Sequence, residues 1–344
     1  MAFFKNTNRI IQLLFLLIFL SIYIFYVVIV INIGTGPIDY ETFMQIGQNL
    51  IKGMLIYGEN SFYPLPYVGV FAIFSQLPFS ISFLTWVFIP ILIALMISGF
   101  SPLILLFAPL FGHFLGGQSA VFGMVGLWGF RKNQQSKYSG IWLSLLLLKP
   151  QLAIAPLGWV AYKWIKQFSS EKKIPDQFFV FMISTIIIFL PWFALYPNWL
   201  GEWMANLRGL RLRAMAGIFP RLFMYLNLPT TIFWLLLLFI TIFIIFWIYK
   251  KNTLSLDKII ILSFIVLPFL HDYDLIQLVP LLDNQKKRIW GIISSIPLWF
   301  TIFLAYNNDH AWFTATLIAP ILLFYFLNER TIDETNNHNL RLKP

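Results

Sequence analysis

Asp39, Lys149, the pair His271-Asp272 and four arginines, Arg208, Arg211, Arg213 and Arg221, are the ionisable residues whose setting could do chemistry. Each lies in or beside a long apolar run, where a charge is costly and demands a partner or a task. A guanidinium offers a planar fork of donors suited to phosphate oxygens. In Leu207-Arg208-Gly209-Leu210-Arg211-Leu212-Arg213, positions 208 and 211 share a helical face and 213 falls off it. This spacing fits a pocket for a lipid phosphate headgroup; the alternative is snorkelling to bulk anionic lipid. Asp39 opens a stretch with Phe43, Ile46, Leu50, Ile51 and Met54, which predicts a short amphipathic helix lying on the membrane. Its carboxylate is either a first-turn partner of the helix dipole or a general base.

The remaining polar groups are fewer. Lys149, before Pro150, is the one charge of an apolar hairpin and either pairs with a carboxylate or meets phosphate. Gln118, after Gly116-Gly117, either bonds a substrate hydroxyl or bridges two helices. His271 and Asp272 bond substrate, tune the base, or satisfy broken backbone at a turn. Asp272-x-Asp274 has the spacing of a metal motif, but on a continuous helix the two side chains point about 200° apart, so no metal is expected. Tyr63, Tyr67, Trp192, Trp199 and Trp203 read as an interfacial aromatic belt.

The elements that must hold these residues are membrane helices. Of 344 residues, 59% are hydrophobic and 11% charged, against about 25% charged in a soluble domain. A soluble fold cannot hide that much apolar surface. With no cysteine, disulfide scaffolds and thiolate chemistry are excluded. The net charge of +10 reads as positive-inside bias rather than nucleic-acid binding. Eighteen of the 24 basic residues fall in clusters (from Lys5 and Arg9 to Arg330, Arg341 and Lys343) that belong on the cytoplasmic side. The run 10–31 is long enough to cross about 30 Å of hydrocarbon and reads as a retained helix.

Parity between clusters requires one of the runs 63–79, 81–98, 101–115 and 118–130 not to cross. The Pro-bounded run 63–79 is assigned as a re-entrant or interface-lying helix. The runs 139–149 with 151–164, 178–197 with 230–249, 258–270 with 273–284, and 289–305 with 311–327 complete about 12 membrane segments. Both termini are then cytoplasmic, in a cell (plasma) membrane. The expectation is an all-α polytopic membrane protein with a single domain over 1–327. Its first extracytoplasmic loop, 32–80, bears the amphipathic and re-entrant helices; a second covers 198–229. The polar tail 328–344 reads as disordered.

Asp39-Tyr40, Tyr63-Pro64-Leu65-Pro66, Gly117-Gln118, Leu148-Lys149-Pro150 and His271-Asp272-Tyr273 occur in that order over about 30–280. In this the chain resembles the polyprenyl-phosphate-dependent glycosyltransferases of the GT-C superfold, and among them glycosyltransferase family 87, the polyprenol-phosphate-mannose type. The resemblance implies a GT-C-like bundle and a metal-independent hexosyltransferase without cofactor. It implies transfer of a mannose-like hexose, with inversion, from a polyprenyl-phosphate donor to a glycan or glycolipid acceptor outside the cytoplasm. Asp39 takes the family's acidic catalytic position. Tyr40, Tyr63, Gln118, Lys149, His271, Asp272 and the four arginines are the substrate-binding candidates. Outside the resemblance, a proton-coupled transporter or lipid flippase would also want His271, Asp272 and Lys149 at depth, and a membrane scaffold subunit would need neither the outer arginines nor the His271-Asp272 pair.

Overall fold

The computed structural model describes residues 2–58, 61–208, 226, 229–250, 255–304 and 321. Among these the regular structure is entirely helical, as expected. The chain forms two compact units: Met1–Leu210 with Tyr273–Asp283, and Arg211–Asp272 with Asn284–Pro344.

The first unit runs α1 (Ala2–Ile33), α2 (Ile38–Ile51), α3 (Leu65–Ser75), α4 (Phe79–Ile97), α5 (Ala108–Gly116), α6 (Val121–Lys132), α7 (Ser139–Leu146), α8 (Pro150–Glu171), α9 (Asp176–Leu195) and α10 (Trp199–Arg208). A 3₁₀ turn, Pro102–Leu106, precedes α5, and the 3₁₀ stretch Asp272–Leu281 returns to this unit. The second unit contains α11 (Thr230–Lys250), α12 (Leu256–Val266) and α13 (Gln285–Leu304). Ser255 caps α12 by accepting the Lys258 N–H at 3.3 Å. The same helix stops at Leu267, which is extended because Pro268 disfavours helix before it.

Three helices among the described residues are long and apolar enough to cross a membrane: Leu13–Ile33, Phe79–Ile97 and Asp176–Leu195. The first and third are largely bare, whereas α4 buries Phe83, Trp86, Val87 and Ile91. Leu13, Leu17 and Phe25 of α1, and Ile183, Ile187 and Leu190 of α9, are exposed. A helix apolar all round and uncovered by protein suits lipid contact. The inward stripe of α1 is Tyr23, Val27 and Val30, at helical spacing. It is fastened by Tyr26 Oη donating to the Leu115 carbonyl at 2.7 Å.

Several expected crossings are broken or short. The run 101–115 splits at Pro102 and Pro109 into the 3₁₀ turn and the nine-residue α5. The run 118–130 yields the 12-residue α6, and 139–149 the eight-residue α7. At about 1.5 Å per residue neither reaches across about 30 Å. In the other direction, α8 runs through Lys163 and Lys166 to Glu171 and ends at Lys172 in the left-handed region. Lys163 and Lys166, expected on the cytoplasmic side, therefore ride on a helix.

The segment expected to be re-entrant or interface-lying forms α3, 11 residues long, with Tyr67, Val68 and Phe71 at 0% exposure. It supports α2. The apolar face of α2 is Tyr40, Phe43, Met44 and Gly47, all buried, while Ile51 and Met54 are exposed. Phe43 stacks on Phe71 with centroids 4.7 Å apart. The amphipathic helix expected to lie on lipid thus has that face covered by α3. Gly47 allows the approach: a Cβ there would sit 2.5 Å from the Phe71 carbonyl carbon. Apolar burial gives little drive between helices in lipid, so close approach at small residues has to supply the packing.

Gly47→Val should separate α2 from α3 and sharply reduce the monodisperse fraction on size exclusion in detergent. Gly158→Ala, in α8 with nothing within 4 Å of the added Cβ, should be neutral or slightly stabilising, since Ala is favoured over Gly by about 1 kcal/mol in a helix. Equal recovery of both variants would remove the close contact as the reason for Gly47.

Candidate functional site

The site begins at the N-terminus of α2. Pro37 precedes the helix, and Glu41, not Asp39, reaches back to the entering chain, accepting the Gly36 N–H at 2.6 Å. Tyr40 points inward: its hydroxyl donates to Ser82 Oγ at 2.7 Å, and its ring packs edge-on against Phe83. This anchor turns the neighbouring Asp39 to the exposed rim. There Asp39 Oδ2 accepts a hydrogen bond from the Gln118 side-chain amide.

Gln118 is placed by the end of α5. Gly117 adopts φ +59°, a conformation only glycine takes without strain. The Gln118 N–H donates to the His113 carbonyl at 2.9 Å, and the Gly117 N–H to the Phe114 carbonyl at 3.1 Å. Together these form a Schellman closure. Trp86 Nε1 holds the Gly117 carbonyl at 2.7 Å. Tyr40 lies so close that a Cβ on Gly117 would meet its Cβ at 2.7 Å. Two turns far apart in sequence are therefore locked together, with Asp39 on one and Gln118 on the other.

Behind this rim lies a buried polar cluster. Ser119 Oγ donates to Tyr63 Oη at 3.2 Å, and Tyr67 Oη donates to the Ser119 carbonyl. Burial raises the Tyr63 phenol above its ordinary range, with Lys149 pulling the other way; the hydroxyl stays protonated. The Ala120 N–H donates to His113 Nε2 at 3.0 Å. Lys149 leaves α7 and precedes Pro150 in a non-helical conformation, which aims its ammonium inward. Its Nζ donates to Asp274 Oδ1 at 2.6 Å and lies 5.3 Å from the Tyr273 ring centroid. Lys149 is 1% exposed and Asp274 0%. Lys149 is also close enough to Tyr63 and Asp39 to act on them electrostatically.

Of the residues singled out from sequence, Asp39, Tyr63, Gln118 and Lys149 are brought together. Tyr40 is adjacent, but its hydroxyl is engaged by Ser82, so it serves as a wall. Lys149 meets a carboxylate. That partner, Asp274, is the second half of the Asp-x-Asp spacing discounted as a metal motif. His271 and Asp272 are half-buried and belong to the second unit. Arg208 ends α10, and Arg211, Arg213 and Arg221 lie outside the described residues.

Sequence reading misses three members: His113, Ser119 and Asp274. His113 carries a signal, being a lone imidazole in Phe111-Gly112-His113-Phe114-Leu115 just before the Gly-Gly break. Ser119 carries none. Among the described residues no three His, Asp or Glu side chains gather to hold a metal ion. The chain matches no protein-family model, no curated protein and no solved structure.

Removing one partner of a buried ion pair costs about 3–5 kcal/mol, whereas replacing both by apolar groups is often neutral. Lys149→Met should therefore melt well below the wild type in detergent, and Lys149→Met with Asp274→Leu should recover most of the loss. A single variant as stable as the wild type would show that the pair does not hold the fold.

Proposed function

We propose that this protein is a membrane glycosyltransferase that moves a mannose-like hexose from a polyprenyl-phosphate donor to a hydroxyl of a glycan or glycolipid, with inversion. The observation that carries the reading is Asp39. It is an exposed carboxylate, held by a buried amide, at the edge of a buried polar cluster in an otherwise apolar chain. A carboxylate so placed can receive a proton from an incoming hydroxyl.

In the proposed reaction the acceptor oxygen attacks the anomeric carbon as its proton passes to Asp39. The new carbon–oxygen bond forms while the bond to the phosphate oxygen breaks, and the electron pair leaves on the phosphate. Arg208, Arg211, Arg213 and Arg221 would stabilise that developing charge without a metal. Gln118, Tyr63 and Lys149 with Asp274 would position the sugar. About 12 membrane segments, with both termini cytoplasmic, would open the site to the extracytoplasmic face of the plasma membrane and serve assembly of a cell-envelope glycan. A proton-coupled transporter or lipid flippase is the second reading, favoured by the fully buried Lys149–Asp274 pair.

Asp39→Asn keeps an acceptor for Gln118 and removes the base. In proteoliposomes supplied with hexosyl polyprenyl phosphate, it should lose about 10²- to 10⁴-fold in transfer, at unchanged melting temperature. Transfer at the wild-type rate would eliminate Asp39 as the base. Arg211→Ala should raise the apparent KM for the donor; an unaltered KM counts against a phosphate role. Substrate moved across the bilayer without a new glycosidic bond would favour the carrier.

A further inference from the structure

Two buried side-chain atoms in the cluster have no partner among the described residues: His113 Nδ1 and Gln118 Oε1, on residues 1% and 2% exposed. Their chemistry is set by what their other ends do. The Ala120 N–H donates to His113 Nε2 at 3.0 Å, so that nitrogen carries no proton. The imidazole is then a fixed neutral tautomer with its hydrogen on Nδ1, a donor lacking an acceptor. Gln118 is fixed in the same way. Its NH₂ faces the Asp39 carboxylate, because the amide oxygen would be repelled there, and this leaves Oε1 as an acceptor lacking a donor. The two residues are joined through backbone, the Gln118 N–H donating to the His113 carbonyl at 2.9 Å.

A ligand satisfying both must donate and accept. A phosphate oxygen only accepts, and an ammonium only donates. A hydroxylated ring does both. Lys149 and Asp274 lie close enough to act on His113, and they balance each other's charge, so the neighbourhood favours a neutral polar group over an ion. A hydroxyl on Gln118 Oε1 would sit one amide group away from the oxygen of Asp39.

We infer that His113 and Gln118 form a hydroxyl-reading subsite for the transferred sugar. His113 donates through Nδ1 to the oxygen of one sugar hydroxyl, and Gln118 accepts through Oε1 from a sugar hydroxyl. His113 is thereby a specificity-determining donor and not a proton carrier. The inference rests on the glycosyl-transfer reading and names the part of the donor that the cluster recognises.

The test pairs variants with donors lacking one hydroxyl at a time, assayed by kcat/KM in proteoliposomes. In the wild type, one deletion should cost roughly 10- to 100-fold, the range for an unmade buried hydrogen bond. His113→Phe should lose a similar factor with the complete donor and nothing further when that hydroxyl is absent. His113→Asn, which keeps an N–H near Nδ1, should restore the discrimination. Losses that multiply in His113→Phe would overturn the subsite while leaving glycosyl transfer intact; so would a wild type indifferent to every deletion, the mark of an ordered water only. Should His113→Phe misfold, a His113→Asn variant that discriminates no better than a Gln118→Leu variant overturns the subsite equally. If the wild type transfers no hexose, the glycosyl-transfer reading fails separately. The subsite is then judged by melting with octyl mannoside: stabilisation of the wild type but not of His113→Phe supports it, and equal or absent stabilisation overturns it.

Discussion

A lysine and an aspartate 125 residues apart meet at 2.6 Å where neither touches solvent. Neither charge is tolerable there alone, since burying an isolated ion costs far more than a fold of this size can absorb. Their contact therefore requires the α7–α8 turn and the 3₁₀ stretch Asp272–Leu281 to come together. Gln277 repeats the link, its amide donating to the Leu152 carbonyl at 3.0 Å. Arg131, in the last turn of α6, ties the same 3₁₀ stretch to a third helix by donating to the Pro280 carbonyl. The late segment is thus bound into the first unit by polar contacts, in a chain where apolar contact is available almost everywhere and specifies little.

Directional bonds and small residues take over the work that hydrophobic sorting does in water. Gly47 lets α2 sit on α3. Gly140 does the same between α7 and α9, where a Cβ would come within 2.6 Å of the Phe181 nitrogen. Ser144 then bridges the same two helices, with its Oγ 3.0 Å from the Phe181 carbonyl and 3.1 Å from Thr185 Oγ1. Close backbones and interhelical hydroxyl bonds are what remains effective when the surroundings are as apolar as the side chains.

The candidate site follows from this economy of polar groups. Each member has one end committed to the fold: Gln118 to Asp39, His113 to Ala120, Lys149 to Asp274, and Tyr63 to Ser119. The commitments fix tautomer, amide orientation and rotamer, which is the preorganisation that recognition or catalysis requires. They also leave two buried atoms of the cluster without a partner among the described residues, His113 Nδ1 and Gln118 Oε1.

Composition, the apolar runs and the spacing of Phe43 and Ile46 determined the all-helical, membrane-suited character of the chain and the short helix bearing Asp39. Gly116-Gly117 marked the break beside Gln118, and Pro150 the turn beside Lys149. These were legible because periodicity, charge exclusion and backbone punctuation are local properties. Tertiary structure alone decided that α3 covers the apolar face of α2, that several runs are too short or broken to cross, and that Asp274 answers Lys149. It alone made His113 part of the site. The physical reason is that a residue's apolar or polar type says whether it needs a partner, while which partner it finds depends on how distant segments pack.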